Sequence, residues 1–310
     1  MDFYFSRMRI AGNSMSCMSS PNGMHRKYRN IITQPHLDGI FSSGLLSRIF
    51  DAPIRFRLII RRAKYSVILG VPISRDLQVF QSFIIDVVNC EQFYGAALQT
   101  NLILCDSSYG SLTDLVVDAF NLEIPNDFLD AVYDIATRNI HADAFSEKLL
   151  LAWLLSEKSA HKELAILVKA GLWDRVRDWI QKATSVDLAG LVKFTVNKIR
   201  DNLQVVAPQV AMISFSIKDA VEKIAAKYLL YAPPLNAPII LLLGCDGRQV
   251  KLCYISSRSY DLTILSRSLE RMGYITIARP NVVRVYLDEN IDYFVDRLVA
   301  AVKSTRKYMK

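Results

Sequence analysis

The chain has 310 residues, 51% of them hydrophobic, and a net charge of +8. That is length enough for two domains with packed cores, and it excludes a disordered or fibrous protein. No run approaches the ~20 consecutive apolar residues that a membrane helix requires, and the first thirty residues lack the apolar block of a signal peptide. A soluble protein of the cytoplasm is expected.

The charge is uneven. Residues 247–310 carry twelve Lys/Arg against six Asp/Glu, and residues 1–30 carry five against one. A basic C-terminal part beside a near-neutral middle places any nucleic-acid surface at the C-terminal end. The five cysteines (Cys17, Cys90, Cys105, Cys245, Cys253) are an odd number without Cys-x-x-Cys spacing, which suggests neither a disulfide framework nor a zinc site. All five are expected to be reduced and structural.

Residues 1–27, with scattered Met, Ser and Gly and the basic group His25-Arg26-Lys27, read as a loosely ordered leader or as sequence upstream of the true start. From Tyr28 an apolar strand, a turn and a helix recur. The candidate strands are Asn30 to Thr33, Phe56 to Ile60, Tyr65 to Val71, Ser82 to Val88 and Asn101 to Cys105. Most are continuous β-branched or aromatic runs, as in a mainly parallel sheet buried on both faces. Between Ile124 and Lys227 the period becomes helical, with hardly a strand in it. Helices are predicted to start near Asn126, Phe145, His161, Trp173 and Asp187, several with Asn, Asp or Ser caps. Trp153, Trp173 and Trp179 belong to this layer as packing residues.

A helix over Ile217–Tyr231 ends at Pro233-Pro234, which cannot continue it. Beyond it a hairpin is predicted from Pro238 to Ser256 around Asp246-Gly247, then a helix from Asp261 to Met272. Strands at Tyr274 to Ala278 and Val282 to Leu287 and a closing helix to about Thr305 complete the chain. The boundary to a second domain falls near Pro233-Pro234 or one helix earlier, and the chain is divided into a leader (1–27), a larger α/β domain with a helical layer (28–205) and a smaller α/β domain (206–310).

The most informative stretch is Tyr28–Leu46. Its strand ends at Thr33, and His36-Leu37-Asp38-Gly39 then opens a helix carrying Ser42, Ser43 and Gly44. His36 and Asp38 thus fall at the carboxyl end of a strand, where open α/β sheets keep their sites. This stretch resembles the first motif of the DHH phosphoesterases, the superfamily that includes the RecJ exonuclease, whose pattern is roughly (Asp/His)-x-Asp-x-Asp-Gly. Here Gln34 stands at the first ligand position and His36 at the second, and only Asp38 and Gly39 hold the pattern. Phe83-Ile84-Ile85-Asp86 resembles the family's lone-Asp motif. Asp106-Ser107-Ser108, after the strand Asn101 to Cys105, matches the position of Asp-His-His with both histidines replaced by serine. The C-terminal part resembles the DHH-associated domain that grips the substrate backbone in RecJ. Arg258 fits the family's strand-end arginine, and Gly273 alone remains near its Gly-Gly-Gly-His loop. Arg267 and Arg271, four apart on one helix, are close to Arg258 and Arg279 in motif order and would make a basic patch for phosphates or for an acidic protein surface.

The family binds two Mn²⁺ or Mg²⁺ ions through a cluster of Asp and His, which activate water and clamp phosphate oxygens. His36, Asp38, Asp86 and Asp106 fall short of that set, and no cofactor is expected. The resemblance implies a catalytically inactive RecJ-like protein, similar to the archaeal counterparts of the replication factor cell-division-cycle protein forty-five. Its implied partners are the GINS complex and the MCM helicase, with single-stranded DNA as a further contact and a location at the nucleoid. The alternative is a divergent nuclease or oligonucleotide phosphodiesterase using Mn or Mg at His36, Asp38, Asp86 and Asp106. A stand-alone single-strand binder is disfavoured because no stretch interleaves basic and aromatic residues.

Overall fold

The computed structural model describes residues 27–58, 60–71, 73–88, 90, 101–142, 144–185, 187–207, 210–232, 239–257, 260–279 and 281–305. Residues 1–26, expected as most of a leader, lie outside them. In chain order the elements are β1 (Asn30–Thr33), α1 (Leu37–Phe50), β2 (Ile54–Phe56), β3 (Ile60–Lys64), β4 (Ser66–Leu69), β5 (Ile73–Phe80), β6 (Phe83–Asp86), β7 (Leu102–Cys105) and α2 (Leu112–Phe120). A run of helices follows: α3 (Asn126–Thr137), α4 (Phe145–Leu155), α5 (Lys158–Ala170), α6 (Trp173–Thr184) and α7 (Asp187–Asp201). Then come β8 (Gln204–Ala207), β9 (Val210–Ser216), α8 (Ala220–Tyr231), β10 (Ile239–Asp246), β11 (Gln249–Ser257), α9 (Thr263–Arg271), β12 (Ile275–Arg279), β13 (Val282–Asn290) and α10 (Ile291–Thr305).

The chain forms two compact units, one of residues up to Thr137 with Ser156–Gln181, the other of Arg138–Leu155 with everything from Lys182 onward. The first is built on a five-stranded sheet in the order β2-β1-β4-β6-β7, every pairing parallel, with β3 and β5 as a separate parallel pair. The apolar runs expected of a buried parallel sheet supply β4 and β6, whose residues are all buried. Helix α1 is buried along Leu37–Ser47 and packs against α2, α3 and α5. An added Cβ at Gly44 would lie 2.8 Å from Val168 Cγ1 and 2.9 Å from the Ala165 carbonyl of α5, so glycine there permits the close helix crossing. Arg48, near the end of α1, donates to the last carbonyls of α5, at Val168 and Lys169. Tyr28, Phe50, Phe83 and Phe120 form a chain of mostly edge-to-face rings. Tyr28 and Phe83 stand at the starts of strands, Phe50 and Phe120 at the ends of helices. The helix N-termini therefore return to the carboxyl edge of the sheet, where the motif residues are.

The second unit has a six-stranded mixed sheet in the order β12-β13-β11-β10-β9-β8, in which only β9 and β10 run parallel. Its core joins Leu241, Leu243, Cys253, Val283 and Val285 to Leu265 and Leu269 of α9 and Phe294 and Leu298 of α10. Helices α4, α7 and α8 belong to the same unit, and α7 and α8 lie on β9. They are tied by Glu147, which accepts from Tyr228 Oη at 2.6 Å and pairs with Lys193 at 2.8 Å.

Some expectations need correction. The stretch read as helical with hardly a strand holds β8 and β9, and the apolar run Val210–Phe215 of β9 pairs with β10 and takes its period from the sheet. The single strand expected over Phe56–Ile60 is two, β2 and β3, and β5 went unanticipated because Ser74, Arg75 and Asp76 interrupt its apolar pattern. The cysteines are not all reduced. Cys90 and Cys105, fifteen residues apart, form a disulfide with Cα atoms 5.6 Å apart, while Cys245 and Cys253 are free thiols. Cys17 lies outside the described residues.

Candidate functional site

At the carboxyl edge of the parallel sheet, β1 turns into α1 through residues 34–36. His36 is the helix N-cap, and its Nδ1 accepts the Gly39 N–H at 3.0 Å. Because that nitrogen is an acceptor, the ring proton sits on Nε2, and Nδ1 is spent on the cap. Gly39 is needed here. A Cβ would lie 2.4 Å from Thr33 Oγ1 and 2.7 Å from the Gln34 carbonyl. The Gln34 amide donates to the Leu58 carbonyl at 2.9 Å and is buried.

Asp38, 8% exposed, points at the start of α2. Its Oδ2 accepts the Leu112 N–H at 2.9 Å, and its Oδ1 accepts both the Thr113 N–H and the Thr113 hydroxyl at 2.8 Å. Three donors from one helix N-terminus thus occupy the carboxylate, in the place where a helix offers its positive end to an anion. Ser111, the α2 N-cap, accepts from Asp114 N–H at 3.0 Å. Burial, together with the Asp38 and Asp130 charges, pushes the Asp114 carboxyl up to about 6 despite the Ser111 hydrogen bond. Tyr109 donates to Asp118, and that bond, with partial burial, pushes its phenol up to about 12.

Asp86 ends β6, and its Oδ1 accepts the N–H groups of Val87 at 2.8 Å and Val88 at 3.1 Å. Across the ladder Asp86 pairs with Cys105, so Asp106 lies one residue beyond it on the neighbouring strand, with its N–H bonded to the Asp86 carbonyl at 3.3 Å. Asp106 Oδ1 accepts from Ser108 N–H at 2.9 Å and Ser108 Oγ at 2.6 Å, which closes the turn after β7. Ser107 and Ser108 are exposed. Asp86 and Asp106 sit at strand ends and are engaged by neighbouring residues of their own turns, whereas Asp38, in the first turn of α1, is engaged by the start of α2. Among the described residues no three of His, Cys, Asp and Glu converge in a metal-binding group. A pair of divalent cations does not fit this donor set, because Asp38 is filled by helix donors and Asp86 and Asp106 each accept from the N–H groups of their own turns. A groove of about 440 Å³ in the same unit lies elsewhere, beside the end of α1 and edge strand β2, lined by Ser47, Phe56, Ile166 and Lys169 among others.

Of the C-terminal candidates, Arg258 and the side chain of Arg279 lie outside the described residues. Arg267 and Arg271 are exposed and four apart on α9. Gly273 ends that helix with φ +92, and the Tyr274 N–H returns to the Leu269 carbonyl at 3.1 Å, the geometry of a glycine helix terminator.

Sequence reasoning missed a second group. On the sheet face turned away from α9 and α10, Arg284 lies over the ring of Tyr286 at 4.5 Å and over that of Tyr254 at 5.4 Å. The three are brought together by register, since Tyr254 is opposite Arg284 and Tyr286 is two residues further along β13. The signal was the alternation Val283-Arg284-Val285-Tyr286, which puts the arginine and the tyrosine on one face.

No protein-family model matches the chain, and no curated protein matches it by sequence. Solved structures similar to it include a pGpG-specific phosphodiesterase, PggH, from Vibrio cholerae (TM-score 0.51, 11% identity, 91% of this chain and 100% of that one). They also include an exopolyphosphatase-related protein from Bacteroides fragilis (TM-score 0.47, 10% identity, 93% and 95%). At such identity the likeness to the first is one of fold: the chain has the α/β fold of the DHH-family phosphoesterases.

Proposed function

We propose that this protein works by binding, as a catalytically silent RecJ-like scaffold subunit of the archaeal replicative helicase. Its partners would be GINS and MCM, with single-stranded DNA as a further contact through Arg267 and Arg271. The observation that carries the loss of catalysis is the Asp38 carboxylate, whose oxygens take three donors from the first turn of α2. Gln34, Ser107 and Ser108, at three positions where the resembled family has charged or imidazole ligands, support it. The helicase role itself rests on the motif resemblance. The test is affinity purification of the tagged protein from its own cells with nuclease added, followed by mass spectrometry. Stoichiometric GINS, with or without MCM, is the expected result, and recovery of the protein alone overturns the scaffold role.

A second reading is a metal-dependent phosphodiesterase acting on a short oligonucleotide. It is favoured by the fold shared with a protein described as pGpG-specific and by the adjacency of Asp86 and Asp106 on neighbouring strand ends. Mn²⁺-dependent cleavage of pGpG or of a labelled oligonucleotide, lost in Asp106→Ala, would establish it in place of the first.

A further inference from the structure

Sheet alternation divides the second unit's strands into two faces. Cys253, Ile255, Val283 and Val285 point into the core with α9 and α10. Their neighbours Leu252 and Tyr254 on β11, Arg284 and Tyr286 on β13, and Ile275 and Ile277 on β12 point the other way. Register sets them in two rows, Ile275–Tyr286–Leu252 and Ile277–Arg284–Tyr254. The face is open at its outer edge, with Ile275 70% and Tyr286 36% exposed. The Arg284 guanidinium makes no hydrogen bond or ion pair with any described residue, and its Nε is buried without an acceptor. The neighbouring Lys251 is already paired with Asp288.

A planar cation held between two aromatic rings and lacking a counter-charge, on a sheet with exposed apolar flanks, has a specific complement. It suits a ligand that brings flat rings and negative charge together. We infer that this face is a platform for single-stranded nucleic acid: bases stack on Tyr286 and on the Arg284 guanidinium, and a phosphate supplies the missing counter-charge. Sheet faces bearing two or three stacking side chains bind that many bases, and arginine stacks as well as pairs. The basic surplus of residues 247–310 favours a polyanion over an acidic peptide, which would need no rings. The platform is distinct from Arg267 and Arg271 on α9 and stands without any helicase partner.

The test is fluorescence anisotropy of a labelled oligothymidine of about a dozen nucleotides with the full chain at low salt. Tyr286→Ala should weaken binding by about tenfold, and Arg284→Lys, which keeps the charge and loses the plane, by a comparable factor. Tyr286→Phe should bind as the parent does, which separates stacking from misfolding. Reversing Arg267 and Arg271 should leave a Tyr286-dependent component. The inference is overturned if the parent does not bind, if Tyr286→Ala and Arg284→Lys bind as the parent does, or if Tyr286→Ala instead converts a dimer to a monomer in sedimentation. Each of those outcomes leaves the scaffold proposal to its own test.

Discussion

Replacing Asp38 by Asn keeps the shape of the side chain and removes its charge. One carboxylate oxygen becomes an amide nitrogen, so at least one of the Leu112 and Thr113 N–H groups faces a donor. Leaving a buried donor unsatisfied costs about 1–3 kcal/mol, and the bonds that remain lose about half of their charge-assisted strength, roughly 1 kcal/mol each. Loss of the negative charge at a partly buried helix N-terminus adds up to ~2 kcal/mol, part of which is already in those hydrogen bonds. The expected destabilisation is therefore about 3–4 kcal/mol, a large share of the ~5–15 kcal/mol of a typical domain. Urea denaturation followed by circular dichroism measures it, with an unchanged slope showing that stability alone has moved. Asp106→Ala, in an exposed turn, is the control and should stay within about 0.5 kcal/mol. A loss below about 1 kcal/mol in Asp38→Asn would refute the structural role. So would stabilisation of the parent by Mn²⁺ that disappears in the variant, because it would make Asp38 a ligand.

Two further measurements follow from the same region. Thiol titration of the denatured, unreduced chain should find Cys245 and Cys253 reactive and Cys90 and Cys105 not, and reduction should lower stability by about 3 kcal/mol, as expected for a link closing a loop of about fifteen residues; labelling of Cys90 and Cys105 without reductant would contradict the disulfide. The raised Asp114 carboxyl means that folding takes up a proton between its ordinary 3.8 and about 6, so its charge is unfavourable above that window and the penalty is relieved as pH falls through it. Asp114→Asn should accordingly match or exceed the parent at pH above about 7, by up to about 1 kcal/mol once partial exposure is allowed for, and the parent should regain ground toward about pH 4 in parallel thermal melts.

The parallel sheet was legible because continuous β-branched runs such as Phe83–Asp86 have few other uses, and α1 because Asp38-Gly39 follows a strand end. What failed to show had a physical reason in each case. The pattern of β5 is broken by polar residues, and it pairs only with β3. The strands from Gln204 to Ser216 follow directly on an amphipathic helix, inside a stretch whose period is otherwise helical. The disulfide links ordinary-looking cysteines across fifteen residues. Placing Asp86 and Asp106 at strand ends was within reach of the sequence, whereas the grip of Asp38 on residues 112 and 113 spans more than seventy residues and leaves no local mark. The Tyr254–Arg284–Tyr286 stack likewise joins two strands and could not appear in a search for basic and aromatic residues interleaved along one stretch.

That long-range grip changes what the surviving motif means. Asp-Gly at 38–39 is the part that holds the family pattern, and both residues have structural reasons to be there. Glycine avoids a clash of its Cβ with Thr33 and the Gln34 carbonyl, and the aspartate bridges the first turns of α1 and α2. Either would be kept whether or not an ion were ever bound nearby. Of the two serines after β7, Ser108 likewise has a structural reason to be there, since it closes the turn by donating to Asp106, whereas Ser107 is exposed. The strand order, the helix entry and the Asp-Gly dipeptide can thus be kept for structural reasons, whatever the chemistry at the sheet edge. The scaffold alone is sufficient reason for the resemblance.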